Sequence, residues 1–201
     1  MVGANSADIG FGQARTKEQL FAQFGTDSDK AKAAYDPDGS GNVRQLASAV
    51  AADQTMVEPA RFTAGTIVAV GKQAYVFRFS YVAESMRKEW PGAPHATEIP
   101  FVFDTVAARY GKDLTAADEA TAQAANAYWV NFAKTGNPNG QGLPEWPSYS
   151  PATEKLMDFA NTGPVGRQIR GKLAWTLWRH WRISKGDPPP ASPVALHWRS
   201  L

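Results

Sequence analysis

Three histidines and no cysteine leave few places in this 201-residue chain where polar chemistry could concentrate. Two of the histidines, His180 and His197, stand near the end. The third, His95, lies in "GAPHATEIPFVF", residues 92–103. Gly92, Ala93 and Pro94 read as a loop, and Glu98 follows three places after the histidine, ahead of an apolar run. A lone histidine in an apolar setting is more often structural than catalytic. Its position weighs the other way, because loops at the ends of strands are where α/β folds gather functional groups. A histidine working as a general base needs a carboxylate to fix its tautomer and a nucleophile to deprotonate. In hydrolases of that layout the chain order is serine, acid, histidine. The best acid upstream is Asp8 in "GANSADIG", set among glycines and small polar residues. No G-x-S-x-G and no HGGG-like run occurs anywhere in the sequence. The nucleophile is missing.

Metal chemistry fits less well. His95 and Glu98 are too few ligands for a metal site. Asp36-Pro-Asp38-Gly39-Ser40-Gly41-Asn42 imitates the start of a calcium loop, but position twelve, which needs a bidentate Glu, is Ala47. A plain turn capped by Asn42 is the expectation. The absence of cysteine excludes disulfides and thiolate ligands and leaves the redox compartment undetermined.

The elements that must position Asp8 and His95 follow from pattern. "TKEQLFAQFG" predicts a short helix with Thr16 as N-cap, Gln19 completing a capping box and Gly25 as its stop. Further helices are expected over about Val43 to Asp53 and Met56 to Val70, the latter stopping at Gly71. Ala74 to Val82, "AYVFRFSYV", is the clearest strand. Tyr75, Phe77, Phe79 and Tyr81 share one face; Ala74, Val76 and Val82 supply much of the other. Two largely apolar faces point to a strand covered on both sides. "TEIPFVFD" reads as a short helix or turn. "LTAADEATAQAANAYWVNFAKTG" reads as a long helix from the Thr115 cap, with Asp118 at the box position, to Gly136. "KLMDFA" is expected as a final short strand. Several helices with only two or three strands make an incomplete sheet.

Composition is that of an ordinary soluble globular protein, 43% hydrophobic and 20% charged, with fourteen prolines and seventeen glycines. No run is long enough to span a membrane. "MVGANSADIGFG" lacks the basic and apolar segments of a signal peptide. The net charge of +2 is unevenly spread. Residues 1–165 hold 14 Lys/Arg against 18 Asp/Glu, whereas 166–201 hold seven Lys/Arg against the single Asp187.

Three motifs carry a resemblance to a known family. Gly3, Asn5 and Asp8 resemble the G-x-N-x-x-E motif of type B carboxylesterases, the family that includes para-nitrobenzyl esterases, cholinesterases and neuroligins. "GAPHATEIPFVF" resembles that family's catalytic-histidine loop. "YWVNFAKTGNPNGQGLPEWPSY" resembles a stretch near its C-terminus. The likeness runs over 1–165 in the family's order. It implies the C-terminal part of an α/β-hydrolase fold, with His95 as general base, Asp8 as its orienting acid and Glu98 as a buried carboxylate nearby. Asp8 departs from the family's usual Glu with the charge unchanged. The serine elbow and oxyanion-hole glycines belong to the portion absent here, as would any targeting segment.

The resemblance therefore implies a carboxylic ester substrate for the whole enzyme, no metal or organic cofactor, and little or no activity for this chain alone. A separate N-terminal half, reassembling as a split esterase, is one alternative. The other is a non-catalytic adhesion-type homologue: Tyr75/Phe77/Phe79/Tyr81 and Tyr128/Trp129/Phe132 read most simply as core, but without the missing sheet some of that surface would be exposed and could dock a partner. Retention of both Asp8 and His95 argues against the second, since adhesion needs neither. The resemblance does not extend to residues 166–201. Trp175, Trp178 and Trp181 with Arg179, His180 and Arg182 make a basic, tryptophan-rich tail that could meet a membrane or nucleic acid. Frameshifted or read-through sequence explains its abrupt change of character better, and neither a membrane nor a nucleic-acid partner is expected.

Overall fold

Parallel strands cannot be joined by a tight turn and need a long crossover; this chain is organised around two of them. The computed structural model describes residues 1–9 and 12–168. Strand β1 (Val2–Asn5) is followed by helices α1 (Lys17–Ala22), α2 (Ser28–Tyr35), α3 (Val43–Ala52) and α4 (Glu58–Ala69), then by β2 (Val76–Phe79). Next come α5 (Ile99–Val102), α6 (Val106–Tyr110) and the long α7 (Ala116–Thr135), before β3 (Lys155–Ala160) and β4 (Gly163–Gln168). The sheet order is β1-β2-β3-β4. The first three strands are parallel, and β4 turns back antiparallel on β3. This is the partial α/β-hydrolase sheet that the sequence implies, with four strands among the described residues rather than two or three.

The two unforeseen strands have weak β character. "VGAN" of β1 carries one β-branched residue, and "GPVGRQ" of β4 carries two glycines and a proline. Pairing overrides propensity in both. Pro164 is tolerated because β4 is an edge strand. In β1, Gly3 is required by close approach: a Cβ there would lie 2.3 Å from the carbonyl oxygen of Phe77. Strand β4 also runs straight through Gly166, with Met157 opposite Gly166 and Lys155 opposite Gln168. The tail's tryptophans lie outside the described residues.

Strand β2 is shorter than the extended run Ala74 to Val82. At one end the Ala74 carbonyl accepts from Tyr149 N–H at 2.8 Å, and at the other the Asn161 side chain accepts from Val82 N–H at 2.9 Å. The alternation of β2 behaves as expected. Tyr75, Phe79 and Tyr81 join Tyr128, Trp146, Met157 and Phe159 in the main core under α7. Ala74, Val76 and Leu156 face Ala64 of α4 on the other side. The seven aromatics read most simply as core are core: Tyr75, Phe79, Tyr81 and Tyr128 are buried, and Phe77, Trp129 and Phe132 pack part-buried against them.

The C-terminal motif is explained by packing. Trp146 is fully buried, in edge-on or tilted contact with Tyr75, Phe77, Tyr128, Trp129 and Phe159. Its indole N–H donates to the Val76 carbonyl at 3.1 Å. Helix α7 has the full capping box at Thr115 and Asp118, and Gly136 ends it in the left-handed region at φ 76°. Asp118 is wholly buried and also accepts from the Tyr81 hydroxyl at 2.8 Å.

The helices of the crossover hold a separate small core of Leu20, Phe21, Phe24, Ala31, Leu46, Ala47 and Val50. Thr16 caps α1 as expected, but Gln19 reaches back to Arg15 N–H rather than to Thr16. Helix α2 was not anticipated, since its "SDKAKAAY" has little apolar periodicity. A π-helical turn, Asp53–Val57, joins α3 directly to α4 where the sequence suggested a break. The calcium-loop imitation is a turn: Asp36 pairs with Lys17 at 2.7 Å and accepts from Gly41 N–H, Asp38 accepts from Ser40, and Asn42 caps α3. The Lys17 ammonium, with the Gly41 N–H, holds the Asp36 carboxyl below the usual range.

Candidate active site

Asp8 and His95 come together because their loops leave neighbouring parallel strands on the same side. Past β1, Ser6 N–H donates to the Phe79 carbonyl and Ala7 N–H to the Ala93 carbonyl, while Ala7 and Pro94 form a parallel bridge. The Ser6 hydroxyl accepts from Ala93 N–H at 2.8 Å. The fit is tight: a Cβ at Gly92 would sit 2.9 Å from Ser6 Oγ. Zipped in this way, the two loops place Asp8 Oδ1 2.6 Å from His95 Nδ1. The aspartate arm, one methylene shorter than glutamate, spans the gap.

The carboxylate is the better anchored partner. Its side chain is 5% exposed, against 47% for the histidine ring. Oδ2 accepts from Asn5 N–H and Oδ1 from Ile9 N–H, both at 2.8 Å. Backbone N–H donors of this kind stabilise an ionised carboxylate. With Nδ1 engaged by Asp8, Nε2 is the ring nitrogen left to exchange a proton, and the ring is open enough for another group to reach it. The residue after the histidine, Ala96, adopts φ 64°, a left-handed conformation uncommon for a non-glycine residue. Such local strain collects at functional sites.

Glu98 is placed differently from the expectation. It is half-buried rather than buried. Its carboxylate receives the Asn5 side-chain amide at 2.6 Å, and the same amide reaches the Pro94 carbonyl at 2.6 Å. Asn5 was legible only as part of a motif. Its work in joining both loops depends on a register, Asn5 opposite Phe79, that the sequence does not print.

No group of three or more His, Cys, Asp or Glu side chains that could hold a metal occurs among the described residues. No described helix is long and apolar enough to cross a membrane.

A partial parallel sheet with helices on both faces, and an acid–imidazole contact on its strand-end loops, defines the chain as part of an α/β-hydrolase fold. It belongs to the carboxylesterase family, whose sequence model matches residues 11–174. His95 and Glu98 fall inside that span and Asp8 just before it. The chain is 30% identical to carboxylesterase 5A of Canis lupus familiaris over 72% of its own length and 26% of the relative's. It is 28% identical to acetylcholinesterase of Gallus gallus over 82% of its length and 22% of that protein's. Carboxylesterase 4A of Bos taurus matches at 34% over 60% of the chain and 22% of the relative. The chain thus spans about a quarter of the length of the curated relatives it matches.

Proposed function

We propose that this chain carries the acid–base half of a serine carboxylesterase, with His95 as general base and Asp8 as the carboxylate that orients it. The observation that carries this reading is the 2.6 Å contact between Asp8 Oδ1 and His95 Nδ1, made by a buried acid on a half-exposed ring. Membership of the carboxylesterase family makes an ester the fitting substrate class. The 201 residues contain no G-x-S-x-G, so the serine that His95 serves lies outside this sequence. In acyl transfer His95 Nε2 takes the serine proton as the hydroxyl attacks the ester carbonyl. It then gives that proton to the leaving alcohol, and finally draws a proton from the water that releases the acid. Asp8 stays ionised and stabilises the imidazolium formed in between. Backbone donors for the oxyanion come with the serine half.

The test is reconstitution. The purified chain is mixed with a polypeptide covering the serine half of a carboxylesterase, and release of p-nitrophenol from p-nitrophenyl acetate is followed. Background hydrolysis by the chain alone and turnover by the mixture, lost in His95→Ala, is the expected result. Hydrolysis by the chain alone that disappears in His95→Ala overturns the claim that the nucleophile lies elsewhere. Undiminished turnover by a mixture containing His95→Ala overturns the role of the histidine.

A further inference from the structure

Asn5 touches Asp8 and the loop that carries His95 through different parts of itself. Its backbone N–H donates to Asp8 Oδ2 at 2.8 Å. Its side-chain nitrogen lies 2.6 Å from the Pro94 carbonyl, immediately before His95, and 2.6 Å from Glu98 Oε2, three residues after it. Both of those groups, with Glu98 ionised, can only accept, so the nitrogen and not the oxygen of the amide must face them. The two N–H bonds of one NH₂ group therefore clamp the His95 loop from both sides. The clamp is rigidly based. Asn5 is 6% exposed and stands in β1 opposite Phe79, itself fully buried and packed on Phe101 of α5. The loop between the clamped positions holds Ala96 with its φ of 64°, a conformation that needs support from its surroundings.

We propose that Asn5 is a positioning residue for the Asp8–His95 couple, setting the imidazole against the carboxylate by holding Pro94 and Glu98 with its amide. Glu98 is then an anchor for Asn5 and not a partner of the ring. The proposal rests on reading Asp8 and His95 as the acid–base pair, and its test separates the two. Asp8 contacts the ring directly, whereas Glu98 contacts the Asn5 amide.

The experiment is an NMR titration of His95 in the purified chain, with its resonances identified by their loss in His95→Gln. Two signals are read: the midpoint of the imidazole titration and the hydrogen-bonded Nδ1 proton. Asp8→Asn marks the midpoint of a ring whose neighbour carries no charge. Asn5→Ala keeps the backbone N–H and removes only the amide. It is expected to move the midpoint at least halfway to the Asp8→Asn value and to lose the Nδ1 proton signal, with the dispersion of the backbone amide spectrum retained. Glu98→Gln keeps an acceptor for the Asn5 amide and removes the charge, so it is expected to keep the Nδ1 signal. A shift in Asn5→Ala no larger than that in Glu98→Gln, with the Nδ1 signal intact, overturns the proposal. Should Asn5→Ala fail to fold, Asn5→Ser, which has a shorter donor, is read by the same two signals. A wild-type midpoint equal to that of Asp8→Asn is a different failure, that of the acid–base pair itself.

Discussion

Asn139 holds the backbone of Trp146 as a neighbouring strand would. Its side-chain oxygen accepts from Trp146 N–H at 2.7 Å, and its side-chain nitrogen donates to the Trp146 carbonyl at 3.0 Å. One amide side chain thus satisfies both polar groups of a residue whose indole fills the centre of the core. Asn139→Ala leaves that backbone unpaired, at a cost of about 1–3 kcal/mol. Trp146→Ala opens a large cavity and costs about 3–5 kcal/mol. Urea unfolding with unchanged slope checks both.

Arg61 and Glu154 are joined in an ion pair whose side chains are each 5% exposed. Removing Glu154 takes a buried carboxylate partner from Arg61, so Glu154→Ala is expected to cost about 1–3 kcal/mol. Replacement of both by apolar residues of similar volume is expected to recover much of that loss. Chemical denaturation of the two single variants and the double variant supplies the comparison, and equal losses in single and double variants would contradict it.

In the reconstituted esterase, Asp8→Asn is expected to lower kcat by roughly 10⁴-fold, because an amide cannot hold Nδ1 protonated while supporting an imidazolium. KM should change little, since neither Asp8 nor Nδ1 is placed to grip the ester. Steady-state kinetics on one chromogenic ester decides it. A purely structural Asp8 would lower the yield of folded complex and leave kcat per active site alone.

Asp53 gives the stability of the chain a pH signature. Burial pushes its carboxyl above the ordinary value, an effect only partly offset by the Tyr35 hydroxyl, which donates to Oδ2 at 2.7 Å, and by the Arg78 and Arg61 charges. A carboxyl with a raised folded-state pKa binds its proton more tightly in the native chain than in the unfolded one. Its contribution is therefore fully present below the unfolded pKa, about 3.9, and is lost as the pH rises through the folded value. Asp53→Asn, which can still accept from Tyr35, removes this contribution. Its stability relative to wild type should rise from acid to neutral pH, as read by thermal unfolding at several pH values. A difference independent of pH would count against the assignment.

Much of this arrangement could be read from the residues, and what could not has a physical reason. Thr115, Asp118 and Gly136 act locally, through hydrogen bonds within a few positions and a backbone angle suited to glycine, so the ends of α7 were legible. The face alternation of β2 was legible because aromatics fill it. Strands β1 and β4 were not, because their conformation comes from partners distant in sequence or from a closing turn and not from their own side chains. The acid and histidine could be chosen by type and chain order. The bridge through Asn5 could not, since it depends on three-dimensional register. Glu98 was expected in a buried position and is half-buried, its carboxylate turned to Asn5.

The parallel pairings also bear on how the chain acquires its shape. Val2 meets Val76, and Phe77 meets Met157, each across more than seventy residues. Contacts of that span form slowly, because chain entropy is lost before any of them contributes. The crossover helices and the cap of α7 depend on near neighbours and can form early. Asp8 and His95, 87 positions apart, meet only after β1 has docked on β2. Their union is a late event in folding, and a stopped-flow refolding trace should show helical signal well before the sheet is closed.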